Sequence, residues 1–351
     1  MESFQAAKAQ FRPARLALSD LRGEEVPKEV ASTSAFRAWE TPTTFNRRNV
    51  HVFAGNGEYL GGMYLNNPPR VTNVQFQTYV ACLIAVPAQS SQWRLYVLEH
   101  NHQARDMVAR DSGTMQTGRY VILGPQRQQI PLSLRADRVQ RRVPSHQTPT
   151  SQLRSNQRHF RVTLRNRDGG RCAISGYQAP PETNFEGLAA AHIYPVARQS
   201  EWARRTLQQA WLTDASPAPA IAPNGLFSAQ NGLLLLSHIH TAFDSYNIGV
   251  DPDDSYRVVV FATDTYGVGG RSLSASTRQG NVNHRVSDHC LRWHFQQCIL
   301  KHMRGAGEPS WDLGDDDYDN TNAIMEHEDA AELMEAQLAT RLGAYIDVEV
   351  S

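Results

Sequence analysis

Cysteine is scarce: the 351 residues contain Cys82, Cys172, Cys290 and Cys298, with no C-x-x-C pair among them. That spacing excludes a disulfide scaffold and a zinc ribbon. No apolar run approaches the roughly 18–20 residues of a membrane helix. The opening stretch Met1–Lys8 lacks the hydrophobic segment of a secretory signal, and Lys8–Arg22, though basic, carries Asp20 and makes a poor transit peptide. An intracellular protein is therefore expected. Net charge is also missing, with 35 Lys and Arg against 35 Asp and Glu. Gly267-Val268-Gly269-Gly270 follows no phosphate-loop template and reads as a flexible connection. Asp251, Asp253 and Asp254 lack the glycine and glutamate spacing of a calcium loop and read as a turn.

What is present is uneven. Arg135, Arg138, Arg141, Arg142, Arg154, Arg158, Arg161, Arg165, Arg167 and Arg171 are opposed only by Asp137 and Asp168. After Gly307 the balance inverts through Glu308, Asp312, Asp315–Asp317, Asp319, Glu326, Glu328 and Asp329. A basic block suits phosphates, and an acidic tail repels or mimics them.

The length accommodates two compact domains. Residues 1–45 read as a polar arm and 46–131 as a small α+β domain. In the latter, Val50–Phe53, Tyr59–Tyr64, Trp93–Leu98 and Gly118–Leu123 read as strands, and Thr72-Asn73 caps a helix from Val74 to Ala85. His51 and His100 there read as surface or packing residues. Residues 132–168 form an Arg-rich linker ending in a short helix, Gln157–Asp168. A central domain follows at 169–275, then a helix at 286–304 in which Cys290 and Cys298 are packing residues. An acidic tail, 305–351, includes a helical stretch at Ala330–Leu342.

Three stretches of the central domain combine. Gly170–Gly176 (G-R-C-A-I-S-G) reads as a strand and turn. Leu188–Pro195 (L-A-A-A-H-I-Y-P) reads as a strand closed by proline. Asn231–Asp244 (N-G-L-L-L-L-S-H-I-H-T-A-F-D) runs from a turn into a helix. This order resembles the HNH, or ββα-metal, endonucleases, in the variant with C-x-x-[ST]-G, A-A-H-I and H-x-x-F-D. The resemblance covers Arg171 to Val250. A W-H-F and G-x-G-E-P tail, here Trp293-His294-Phe295 and Gly305–Pro309, accompanies it.

The resemblance implies an α+β fold in which an HNH module is preceded by a small α+β domain and followed by C-terminal helices. It makes His192, Asn231 and His240 the catalytic H, N and H. His192 would be the general base, a role that suits imidazole because its ordinary pKa lies near about 6.5. Asn231 would brace the loop behind the His192 strand. His240 and Asp244, at i and i+4 on one helix face, would hold one divalent cation, Mg²⁺ or Mn²⁺. Phosphodiester hydrolysis needs these parts: a base for water and a cation for the charge on phosphate and leaving oxygen. His238 points about 200° from the cation face of that helix and reads as structural.

The departures are specific. Many HNH enzymes place Asp or His directly before the base, and here stands Ala191. Ser175 and Ser237 occupy positions where zinc-ribbon partners of Cys172 would be, so packing must hold the core. The expected partner is nucleic acid, DNA before RNA, contacted through Arg154, Arg158, Arg161, Arg165 and Arg171. Ala191 and the zero net charge favour the other reading, an HNH fold kept without cleavage as a binding module or as an enzyme of small-molecule metabolism.

Overall fold

Val50–Ala54 (β1) and Tyr59–Met63 (β2) form a hairpin whose inward residues are almost wholly apolar. The computed structural model describes Trp39 and residues 48–87, 92–140, 151–183 and 185–305, all in one compact unit, 34–351. Apart from Trp39, the expected arm lies outside these residues, as do Ala306–Pro309, the acidic tail and the Ala330–Leu342 helix.

Helix α1 (Asn73–Leu83) starts where expected, because Thr72 and Gln75 cap each other's backbone N–H groups. The short strand β3 (Ile84–Ala85), β4 (Arg94–Leu98), β5 (Ala104–Met107), β6 (Gly118–Leu123) and β7 (Ser133–Leu134) complete the amino-terminal part. Its five-stranded sheet runs β2-β1-β6-β4-β5, with β1 and β6 parallel and the other pairs antiparallel. Strand β5 is an exposed edge with no apolar alternation, which is why the sequence pattern does not betray it.

Helix α2 spans Ser151–Asp168, six residues earlier than the Gln157 start expected from sequence. The polar first turns hold because Gln152 donates to Asn156 at 3.0 Å, one helical turn on. Gly169, Gly170 and Gly176 follow with φ of +59°, +66° and +77°. Left-handed backbone cannot continue as a strand, so Gly170–Gly176 is a tight loop closed by an isolated Arg171–Gln178 bridge, not the strand expected.

Strand β8 (Leu188–His192) pairs antiparallel with β9 (Gly232–Leu236). Between them lie α3 (Gln199–Arg204), α4 (Leu207–Trp211) and the short α5 (Ala218–Ile221). Their Trp202 and Trp211 pack with Tyr194 and Trp293, all nearly buried. Helix α6 (Ser237–Asp244) leaves β9 directly and packs on both strands. A hairpin of β10 (Ile248–Asp251) and β11 (Arg257–Val260) follows. The Asp251–Asp254 stretch is its turn, as expected, with Asp251 accepting the Asp253 N–H. Gly267–Gly270 is held by Asp264, whose carboxylate accepts the N–H groups of Val268 and Gly269.

Helix α7 (Asp288–Met303) is capped by Ser287 and buries residues on nearly every side. It touches α1, β2, β10 and α4, and so forms a common core for both halves. Arg48 closes its far end, donating to the carbonyls of His302, Arg304 and Gly305. The His302 and Arg304 carbonyls are among those a helix leaves without internal partners, and Gly305 follows the cap. Gly61 makes this junction possible: a Cβ there would stand 1.8 Å from the Met303 carbonyl oxygen. The result is a mixed α+β chain with a sheet domain first, the central module next and a helix last.

Candidate active site

The β8–β9 hairpin places His192 directly across from Gly232, and Ala191 across from Leu233. Neighbouring strand residues face opposite sides, so the Ala191 methyl and the His192 ring diverge. Ala191 is fully buried. His192 turns toward α2, where its ring lies flat on Phe160, with centroids 4.1 Å apart and planes 12° off parallel. Phe227 meets the same ring edge-on at 5.1 Å. Gly232 leaves room for this, since a Cβ there would come within 2.4 Å of the Phe160 ring.

Asn231 is fully buried one residue before β9. Its Oδ1 accepts the Tyr194 N–H at 2.7 Å, and its Nδ2 donates to the carbonyls of Tyr194 and Leu226, each at 3.0 Å. Its backbone carbonyl accepts the Ile193 N–H at 3.0 Å. The chain leaving His192 is thus clamped on two successive residues.

On α6, His240 Nε2 lies 3.0 Å from Asp244 Oδ2, both half-exposed. Two ligands about 2.1 Å from one cation, at a right angle, stand about 3.0 Å apart. The imidazole and carboxylate therefore suit a single divalent cation in both chemistry and spacing. Among the described residues no group of three or more His, Cys, Asp or Glu is placed to hold a metal, and His240 and Asp244 contact each other directly. His238, on another face, packs against Tyr266 at 4.6 Å.

Packed on α6 at Phe243 is a fully buried residue of the Trp293-His294-Phe295 motif. His294 of α7 stacks on Phe243, with centroids 3.6 Å apart, and its Nε2 is 3.0 Å from the Phe243 carbonyl oxygen. A helix motif fifty residues downstream carries no sequence sign of that contact.

Helix α2 holds four of the five expected nucleic-acid contacts. Arg154, Arg158 and Arg161 are exposed and Arg165 is half-buried. Their spacing of four, three and four residues confines them to a stripe about 60° wide. Arg165 lies over the Phe185 ring at 4.5 Å, and burial together with the Arg161 charge lowers its guanidinium below the usual value. Arg171, in the loop after α2, is exposed and donates to the Gly176 carbonyl.

Arg167 belongs to a different set. It makes a bidentate pair with Asp168, both N–O distances being 2.8 Å, and the two side chains are 2% and 0% exposed. Arg167 also donates to the carbonyls of Ala229, His284 and Gly232, while Asp168 accepts the Leu234 N–H. This pair of the basic block is spent on anchoring α2 to β9. Cys172, also buried, accepts N–H groups from Ser175 and Leu236 through its sulfur, each at 3.4 Å.

Residues 172–251 match the model of a family described as HNH endonuclease. They form an HNH endonuclease domain. The HNH match covers the Cys172 loop, the hairpin, α6 and β10, and it places the domain in a family of phosphodiester hydrolases that typically use a divalent metal. Helix α2 and α7 lie outside the matched range, yet both pack against the HNH residues described above. No curated protein and no solved structure matches the chain.

Proposed function

We propose that the chain is a divalent-cation-dependent endonuclease that hydrolyses phosphodiester bonds of nucleic acid, DNA before RNA. The observation that carries this reading is the Asn231 clamp on the backbone directly after His192, inside a domain of the HNH family. A buried amide with all its bonds made holds a backbone segment far more tightly than packing alone. His192 is then fixed for one task, taking a proton from the attacking water. His240 and Asp244 hold the cation. That cation, when bound, supplies charge neutralisation at the phosphate and the leaving oxygen. The Arg154, Arg158, Arg161 and Arg165 stripe, with Arg171, grips the phosphate backbone without reading bases.

The test is nicking of supercoiled plasmid by purified protein with Mn²⁺, Mg²⁺ or chelator. Cation-dependent nicking is expected, and His192→Ala should lower its rate about 10²–10⁴-fold, as loss of a general base does. Cleavage at the parental rate by a nuclease-free His192→Ala preparation would overturn the assignment. The fully buried Ala191, where many relatives carry a ligand, favours a second reading in which the fold binds nucleic acid without cutting. Cation-independent DNA binding with no nicking under any cation would select it.

A further inference from the structure

We infer that Phe160 of α2 is a positioning residue for His192, so that a helix outside the matched HNH range sets the plane of the general base. The inference rests on the reading of His192 as that base.

The torsion that turns an imidazole about its Cβ–Cγ bond is broad and roughly two-fold, so nothing in the side chain itself fixes the ring plane. Here the fixing comes from outside. Phe160 covers one face of the ring at 4.1 Å, and Phe227 closes one edge at 5.1 Å and 89°. Phe160 and Phe227 also meet each other edge-to-face at 6.2 Å, so the three rings form one packed corner. Both phenylalanines are almost completely buried. Removing Phe160 would uncover the imidazole face it now covers.

Three further features keep Phe160 where it is. Gly232, directly across from His192, has no side chain to hold the helix off. Leu164, one turn further along α2, is fully buried against the same glycine. The buried Arg167–Asp168 pair ties the end of α2 to the Gly232 carbonyl and the Leu234 N–H. Helix α2 is thereby fastened to β9 along the stretch that follows Phe160. The same helix carries Arg158 and Arg161 beside Phe160, so one rigid element spans the proposed phosphate stripe and the base.

The reaction gains from this in the manner of any positioned group. A base must point its nitrogen at water, and misplacement by about 1 Å costs up to about 10²-fold. The stacked face also favours the positively charged imidazolium formed once the proton is taken, as aromatic faces attract cations.

The experiment compares Phe160→Leu, Phe160→Tyr and the packing control Leu98→Val in plasmid nicking with Mn²⁺. Phe160→Met, closer in volume, replaces the leucine variant should that one melt below assay temperature. Each protein is also labelled with ¹³C-histidine, and the His192 signal is identified by its loss in His192→Ala. In the parent, the His192 ring protons should resonate upfield because of the Phe160 ring current. Phe160→Leu should lose that shift and about 10-fold in turnover, with the half-saturating DNA concentration unchanged. Phe160→Tyr should restore both, and Leu98→Val, in the core of the amino-terminal sheet, should leave both intact. Parental turnover in Phe160→Leu with the upfield shift gone, alongside an inactive His192→Ala, would overturn the inference alone. Parental turnover in His192→Ala would overturn the base reading and the inference with it.

Discussion

Asn231 grips Tyr194 from both sides of one residue, accepting its N–H at 2.7 Å and donating to its carbonyl at 3.0 Å. Such a grip reproduces the bonding of a strand neighbour where β8 has already ended. It extends the hold on the chain two residues past His192, up to Pro195, which cannot donate at all.

The first prediction concerns this amide. Asn231→Ala leaves the Tyr194 N–H and two carbonyls buried without their partner, and unmet buried groups cost about 1–3 kcal/mol each. Thermal melting should fall by several degrees, and nicking should fall with it even well below the melting temperature. Asn231→Asp keeps the acceptor but turns a buried carboxylate oxygen on the Tyr194 and Leu226 carbonyls, and should destabilise at least as much as alanine. An alanine variant as stable as the parent would show that the clamp holds nothing.

The arginine stripe predicts a salt effect. Changing Arg154, Arg158, Arg161 and Arg165 together to Gln should weaken binding equally across DNA sequences. Each phosphate contact contributes about 0.9 to the slope of log affinity against log salt, so the slope should flatten by up to about 3.6. Fluorescence anisotropy at several salt concentrations measures this. An unchanged slope would mean that the stripe is solvated and binds no phosphate.

Two positions test the cation. Asp244→Ala removes one of the two ligands proposed for the cation and should abolish cation-dependent nicking. Ala191→Asp introduces a carboxylate at a fully buried position, which is costly unless a partner neutralises it. The variant should melt lower than the parent in chelator and regain stability as Mn²⁺ is added, since a ligand bound only by the folded state stabilises it. Melting of Ala191→Asp that is indifferent to Mn²⁺ would separate Ala191 from the cation site.

Stability should also depend on pH through His302, at the end of α7. Burial, reinforced by the Lys301 and Arg48 charges, lowers its imidazole pKa to about 3. In the unfolded chain the same group titrates near about 6.5, so between these values the unfolded state binds more protons than the folded one. Stability is therefore full above about pH 6.5 and is lost as pH falls through that window, by at most about 5 kcal/mol. His302→Gln removes this proton linkage and should flatten the acid side of the stability–pH curve in urea titrations. Parallel curves for the two proteins would place the acid sensitivity elsewhere.

Legibility in the sequence followed the range of the interactions. Gly232–Leu236, expected to lead from a turn into a helix, is a strand because it pairs with β8, whereas Ser237–Asp244 could be read as helix because helical spacing is written in consecutive residues. His240 and Asp244 could be paired for the same reason, being one turn apart. The Thr72–Gln75 capping box announced α1 in four letters. In Gly170–Gly176 the turn is where the sequence puts it, but no strand precedes it, because Gly169 and Gly170 take left-handed backbone.

By itself, then, the sequence determined the HNH order of the central module and the helix that carries His240 and Asp244. Only the tertiary structure decided that Phe160 lies on His192, that Arg167 and Asp168 are spent inside the core while Arg158 and Arg161 remain outside, and that α7 joins both halves. These outcomes depend on which faces meet. Residues 160, 192 and 227 lie 32 and 35 positions apart along the chain, and nothing in their local periodicity specifies a partner. Close packing selects that partner, because a ring, a bare glycine and a second ring fill one corner of space together only when the helix and the hairpin have already docked.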